Sequence, residues 1–168
     1  FDGRHAGATT MTLSGGTTWT YEETLTLTAS AGTFTSADVN KAVHLTGADG
    51  TNIRFTILGY TGTTIVTGKA HMTVPVGMRS TAITTWALAI KVLTGLWHLE
   101  GEDVSVFADG FVVANPNNDQ VTVQTVTNGS ITLDRPYAVI HVGLPIVADL
   151  QTLDIDTVQA ETLADKKS

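Results

Sequence analysis

Apolar and polar residues alternate along much of the chain. Leu25 and Leu27 are separated by Thr24, Thr26 and Thr28, the period-two pattern of a strand with one buried face. The same pattern returns in Ala42-Val43-His44-Leu45-Thr46 and in Ile53-Arg54-Phe55-Thr56-Ile57, with Gly47-Ala48-Asp49-Gly50 between them. An Asp-Gly pair between two such runs predicts a hairpin, because both residues tolerate positive φ. Tyr60-Thr61-Gly62-Thr63 predicts the next reversal, into Thr64-Ile65-Val66-Thr67, and a further strand is expected over Ala82 to Val92. Ser36-Ala37-Asp38-Val39 reads as a single helical turn capped by the Ser36 hydroxyl.

The second half repeats this grammar. Val104 to Ala108 faces Phe111 to Val113 across Asp109-Gly110, and Val121 to Gln124 faces Ile131 to Leu133 across Asn128-Gly129, the pair most suited to a type I′ turn. Tyr137 to Val142 predicts another strand, and Leu153 and Ile155 alternate with Asp154 and Asp156. Short strands joined by Gly-bearing turns indicate an all-β chain, expected as two small β-barrel or sandwich modules in tandem. Helix is expected only as single turns near Ser36 and Trp97.

Four segments follow. Residues 1–23, rich in Gly and Thr, read as an arm or linker that docks through Trp19 and Tyr21. Residues 24–92 form the first module and 93–150 the second, with the boundary near Leu93-Thr94-Gly95, unless Trp86 and Trp97 knit both halves into one core. Residues 151–168 read as a final strand and a polar tail leading to a frayed or missing segment. The chain opens Phe1-Asp2-Gly3-Arg4 without a signal-like segment, so a piece of a longer polypeptide is expected.

Composition narrows the function. Of 168 residues 42% are hydrophobic and 15% charged, enough to bury a core and too apolar for intrinsic disorder. The net charge of −7 argues against a nucleic-acid-binding face, which needs clustered Lys and Arg. Only Lys166 and Lys167 are adjacent. The absence of cysteine removes disulfides, thiol nucleophiles and thiolate metal sites together. No apolar run approaches the roughly 20 residues of a membrane-spanning helix, so no membrane anchor is expected.

Candidate chemistry is sparse. His98-Leu99-Glu100-Gly101-Glu102-Asp103 is the densest polar cluster, and a carboxylate pair there could serve glycoside hydrolysis. Neighbouring carboxylates on a strand point to opposite faces, so Glu100, Glu102 and Asp103 read first as a solvated connection. Asn115-Pro116-Asn117-Asn118-Asp119 lacks the carboxylate ladder and bidentate Glu of a calcium loop. Asp154 and Asp156 share one strand face, which reads as its wet side. His5, His44, His71, His98 and His141 show no metal-ligand spacing, and those inside strands read as hydrogen-bonded structural groups. Asn128-Gly129-Ser130 matches a glycosylation sequon, but a hairpin turn explains all three residues. Trp19, Trp86 and Trp97 read as core or interface anchors. No catalytic, cofactor-binding or metal-binding residue is assigned.

Several stretches resemble a known family. Thr94-Gly95-Leu96-Trp97-His98-Leu99-Glu100-Gly101, Val104-Ser105-Val106-Phe107-Ala108-Asp109-Gly110, Gly129-Ser130-Ile131-Thr132-Leu133 and His141-Val142-Gly143-Leu144-Pro145 together resemble the tail-tube or nozzle structural proteins of short-tailed bacteriophages. Phe34 to Lys41, with the strands after it, is similar to the small β-barrel named after the first catalytic-cysteine half-domain of ubiquitin-activating enzymes. That unit recurs in such phage proteins as a structural module. Asn40 stands where the barrel pattern has Gly, and Asn tolerates the left-handed conformation.

The resemblance implies a non-enzymatic virion component in a ring or tube. Its partners would be copies of itself and neighbouring tail proteins, with DNA only as a passing, repelled polyanion. The alternative is a carbohydrate- or receptor-binding β-sandwich of a tail fibre or adhesin. A hydrolase built on Glu100, Glu102 and Asp103 ranks third.

Overall fold

The computed structural model describes residues 1–113 and 123–145. They form an all-β structure of twelve strands and three short 3₁₀ turns. The strands are β1 (Met11–Ser14), β2 (Leu25–Ala29), β3 (Ala42–Thr46), β4 (Asn52–Gly62), β5 (Ile65–Ala70), β6 (Ala82–Ile83), β7 (Thr85–Thr94), β8 (Asp103–Ala108), β9 (Phe111–Val112), β10 (Gln124–Thr125), β11 (Ser130–Tyr137) and β12 (Ile140–Gly143). An eight-stranded sheet runs in the order β11-β7-β3-β4-β5-β2-β1-β6, and a four-stranded sheet gathers β10, β12 and β9 around β8. All strand pairs are antiparallel. Among the described residues neither sheet closes into a barrel.

Alternation explains the first core. Leu25, Leu27 and Ala29 are buried on β2 while Thr26 and Thr28 stay half-exposed, and Ile53, Phe55 and Ile57 do the same on β4. Met11 and Leu13, within the stretch read as an arm, are fully buried on β1 and pair with Ala29 and Leu27. That stretch therefore contributes a strand, because two apolar residues spaced by one suffice to extend an existing sheet edge. Trp19 does pack against this core, but Tyr21 is 59% exposed. The long β4 continues through Gly62, so its reversal falls two residues later than the Tyr60–Thr63 segment suggests. Where β5 crosses it, a Cβ on Gly68 would lie 1.9 Å from the Thr56 carbonyl oxygen, so only glycine permits this approach.

A second cluster contains Leu93, Leu96, Val104, Val106, Ile131, Leu133, Tyr137 and Ile140. The two cores meet along β7, which gives Trp86 to the first and Leu93 to the second. The N-terminal half of β7 pairs with β3 and its C-terminal half with β11. Beside the N-terminal half lies the chain start: the Leu88 amide donates to the Gly3 carbonyl, and the His5 amide to the Trp86 carbonyl.

One turn device occurs three times among the described residues. Each 3₁₀ turn (Ser36–Asp38, Val76–Met78, Trp97–Leu99) is followed, four positions after its first residue, by a left-handed residue: Asn40 (φ 71°), Ser80 (φ 52°) and Gly101 (φ 80°). A strand begins two positions later each time, at Ala42, Ala82 and Asp103. The amide of each left-handed residue donates to a neighbouring segment, at the carbonyls of Ile57, Leu13 and Val126. Positive φ turns the chain sharply into the strand, which explains Asn and Gly here and makes Ser80 the unusual member. The turn at Val76 escapes a sequence reading because Pro75-Val76-Gly77-Met78 carries no helix signal beyond its proline.

Two local expectations need correction. The turn at Ser36 is preceded by extended Thr35 rather than capped by the Ser36 hydroxyl; the Asp38 carboxylate reaches back to accept the Thr35 amide at 2.8 Å. Of the run expected from Val121 to Gln124, Val121 and Thr122 lie outside the described residues, and its described end does not pair with Ile131 to Leu133. Ile131 faces Leu93 on β7, while Gln124 faces Val104 on β8. The Asn128-Gly129 turn is present, with φ of 52° and 63°, but its hairpin ends after the single Thr127–Ser130 bridge. Leu93 and Ile131 share the second core, and that burial outweighs continuation of a local ladder.

Candidate functional site

Two of the three carboxylates that stood out in the sequence, Glu100 and Asp103, are held in local hydrogen bonds. Glu100 follows the Trp97 turn, and its two oxygens accept the amides of Asn128 (2.8 Å) and Gly129 (2.6 Å). Asp103, at the start of β8, accepts the Thr125 hydroxyl at 2.6 Å across the β8–β10 pair. His98 and Glu102 are exposed or nearly so on the same connection. Trp97 is 68% exposed, yet its ring covers Gly129 so closely that a Cβ there would lie 2.6 Å from it. This cluster is a brace for the Asn128-Gly129 turn. The Asn115 to Asp119 loop and the Asp154/Asp156 pair lie outside the described residues.

The histidines separate. His5 stacks on Trp86 at a centroid distance of 4.2 Å, nearly parallel. His141 lies beside Phe107 on the exposed face of the small sheet. His44 and His71 enter one cleft. His44 on β3 is the cross-strand partner of Arg54 on β4, and the Arg54 amide donates to His71 Nδ1 at 2.9 Å. A row of His44, Arg54 and His71 thus crosses the outer face of the large sheet, opposite the first core.

The second unit supplies the facing wall. Asp109 at the β8–β9 turn has φ of 48° and is followed by Gly110 at 88°, the geometry of a type I′ turn. The turn swings the Asp109 carboxylate onto the β11–β12 connection, where it accepts the amides of Ala138 (3.1 Å) and Val139 (2.8 Å). His44 Nδ1 lies 3.8 Å from the same carboxylate. Arg135 and Pro136 of β11 complete a cavity of about 170 Å³ lined also by Asn52 and Ile53. Burial holds the His44 imidazole below its ordinary value of 6.5; Asp109 opposes that, while Arg54, His71 and Arg135 add to it. His44 is therefore mostly neutral at pH 7, and its Nε2 is buried without a partner among the described residues.

No known protein family matches the chain, and no curated protein is significantly similar to it.

Sequence spacing could not assemble this cleft. His44, Arg54 and His71 come together through the registers of three strands, and Asp109 and Arg135 arrive from the other core. The available signal was partial: two alternating runs with His44 and Arg54 on their polar positions, joined by a turn, predict those two as facing neighbours. Among the described residues no group of three or more His, Asp or Glu side chains converges as a metal site, and no helix is long and apolar enough to cross a membrane.

Proposed function

We infer that the chain is a non-enzymatic structural element of a phage virion. It would belong to the tail tube or nozzle and assemble with copies of itself and neighbouring tail proteins into a ring that DNA passes through. The observation that carries this reading is the set of resembling stretches, 94–101, 104–110, 129–133 and 141–145. They fall on one continuous unit: the end of β7, the Trp97 turn, the β8–β9 hairpin, β11 and β12.

Two further features support it. Phe107, Val112 and Leu144 are exposed around a shallow depression on the outer face of the small sheet, and a contiguous apolar patch on a small protein suits burial against another subunit. The charge of −7 suits a passage that must not hold a polyanion.

Imaging the intact particle tests the reading. Density for this chain in a ring around the tail channel is the expected result. Density on a peripheral fibre would transfer the chain to the carbohydrate- or receptor-binding alternative, and absence from the particle would remove the virion assignment.

A further inference from the structure

We propose that the cleft between β3–β4 and β11 binds a small oxyanion, held by Arg54, Arg135, His44 and His71. In a chain with 16 acidic and 9 basic residues, this cavity is lined by two arginines, two histidines and a single acidic residue. That residue, Asp109, already accepts two backbone amides. Neither Arg54 nor Arg135 is ion-paired among the described residues. Both arginines act on His44 through their charge, and an anion bound between two such cations turns their mutual repulsion into charge-assisted hydrogen bonds.

The supporting geometry is built rather than incidental. Arg54 is positioned by cross-strand pairing with His44. The guanidinium of Arg135 lies 5.0 Å from the centre of the Tyr137 ring, a contact that orients the cation and leaves its charge unneutralised. His71 Nδ1 accepts the Arg54 amide, so a neutral His71 carries its proton on Nε2 as a donor. His44 Nε2 is a buried ring nitrogen with no partner among the described residues, an arrangement that needs an explanation. The His44 ring lines the cavity, so a proton taken up beside an anion would add positive charge to the site. The cavity of about 170 Å³ lies below the roughly 300–1,000 Å³ of pockets for drug-sized ligands, which favours an ion of phosphate size over a nucleotide.

The test is an NMR titration of the isolated chain with potassium phosphate at constant ionic strength, following the histidine ring and arginine Nε signals. Its outcome is independent of where the chain sits in a particle. Saturable shifts of His44, His71, Arg54 and Arg135, with a rise in the pKa of His44, are expected. Arg54→Gln and Arg135→Gln should each weaken binding about tenfold or more, while Lys91→Gln, on the exposed part of β7, should leave it unchanged. Arg135→Lys keeps the charge but loses the planar fork, so it should bind with intermediate strength; binding unchanged in both Arg135 variants would overturn the site. Acetate should bind more weakly than phosphate because it carries one charge. Non-saturable shifts, equal responses to chloride and phosphate, or equal weakening by Lys91→Gln would each overturn the proposal.

Discussion

Glu100 holds Gly129 across 29 residues of sequence: the carboxylate accepts the Gly129 amide at 2.6 Å and, through its other oxygen, the amide of Asn128. A carboxylate in the densest polar cluster of the sequence is thereby committed to a turn. Glu100→Ala should destabilise the chain by about 1–3 kcal/mol, because two amides lose a charged acceptor. Glu102→Gln, on the exposed side of the same connection, should stay within about 0.5 kcal/mol of the parent. Denaturant titration of both variants checks the pair.

Gly129→Val should act through two mechanisms at once. The position has φ of 63°, which a β-branched residue resists, and its Cβ would collide with the Trp97 ring at 2.6 Å. The conformational strain alone is about 1–3 kcal/mol. Gly110→Ala provides the comparison, since φ is 88° there and nothing lies within 4 Å of the added Cβ. The valine variant should melt clearly below the alanine one, and equal melting temperatures would remove the Trp97 contact as a contributor.

Asp109→Ala should loosen the join between the two cores. It leaves the Ala138 and Val139 amides without their acceptor, at about 1–3 kcal/mol. It also removes the charge that raises the pKa of His44. The His44 pKa should consequently fall further in the variant, a change that NMR titration detects separately from any loss of stability.

His44 also sets a pH dependence. Its folded pKa is lowered from 6.5, chiefly by burial, so the unfolded chain binds the proton more tightly than the folded one. Stability is then complete above about pH 6.5 and is lost as pH falls below it towards the folded value. Wild type should weaken more steeply than His44→Gln over that interval in a phosphate-free buffer. Parallel curves would show that His44 titrates as it does in the unfolded chain.

Asp38 governs the acid side. It is 6% exposed, and although burial raises its pKa, hydrogen bonds from Lys41 and Thr35 outweigh that and the net shift is downward from 3.8. Its contribution is present above about pH 3.8 and disappears as pH falls through the folded value. Asp38→Ala should cost about 1–3 kcal/mol at pH 7, from the lost Thr35 and Lys41 contacts, and the difference from wild type should shrink in acid. Unfolding curves at pH 7 and pH 3 measure both.

The sequence by itself determined that the chain is all-β, where most strands run, and which glycine and Asn or Asp residues reverse them. These features depend on side-chain alternation over a few residues and on the φ tolerance of single positions. Asn40, expected in a left-handed conformation, has φ of 71°. Tertiary structure alone decided which strand each run joins. Burial with Leu93 draws Ile131 to β7 rather than to its hairpin neighbour, and burial of Met11 and Leu13 draws the glycine-rich start into the sheet. It also decided the cleft. His44 and Arg54 face each other through one local hairpin, but Asp109 and Arg135 reach them only because β7 belongs to both cores. A contact between residues more than fifty positions apart is set by how two buried clusters pack, and no local periodicity encodes it.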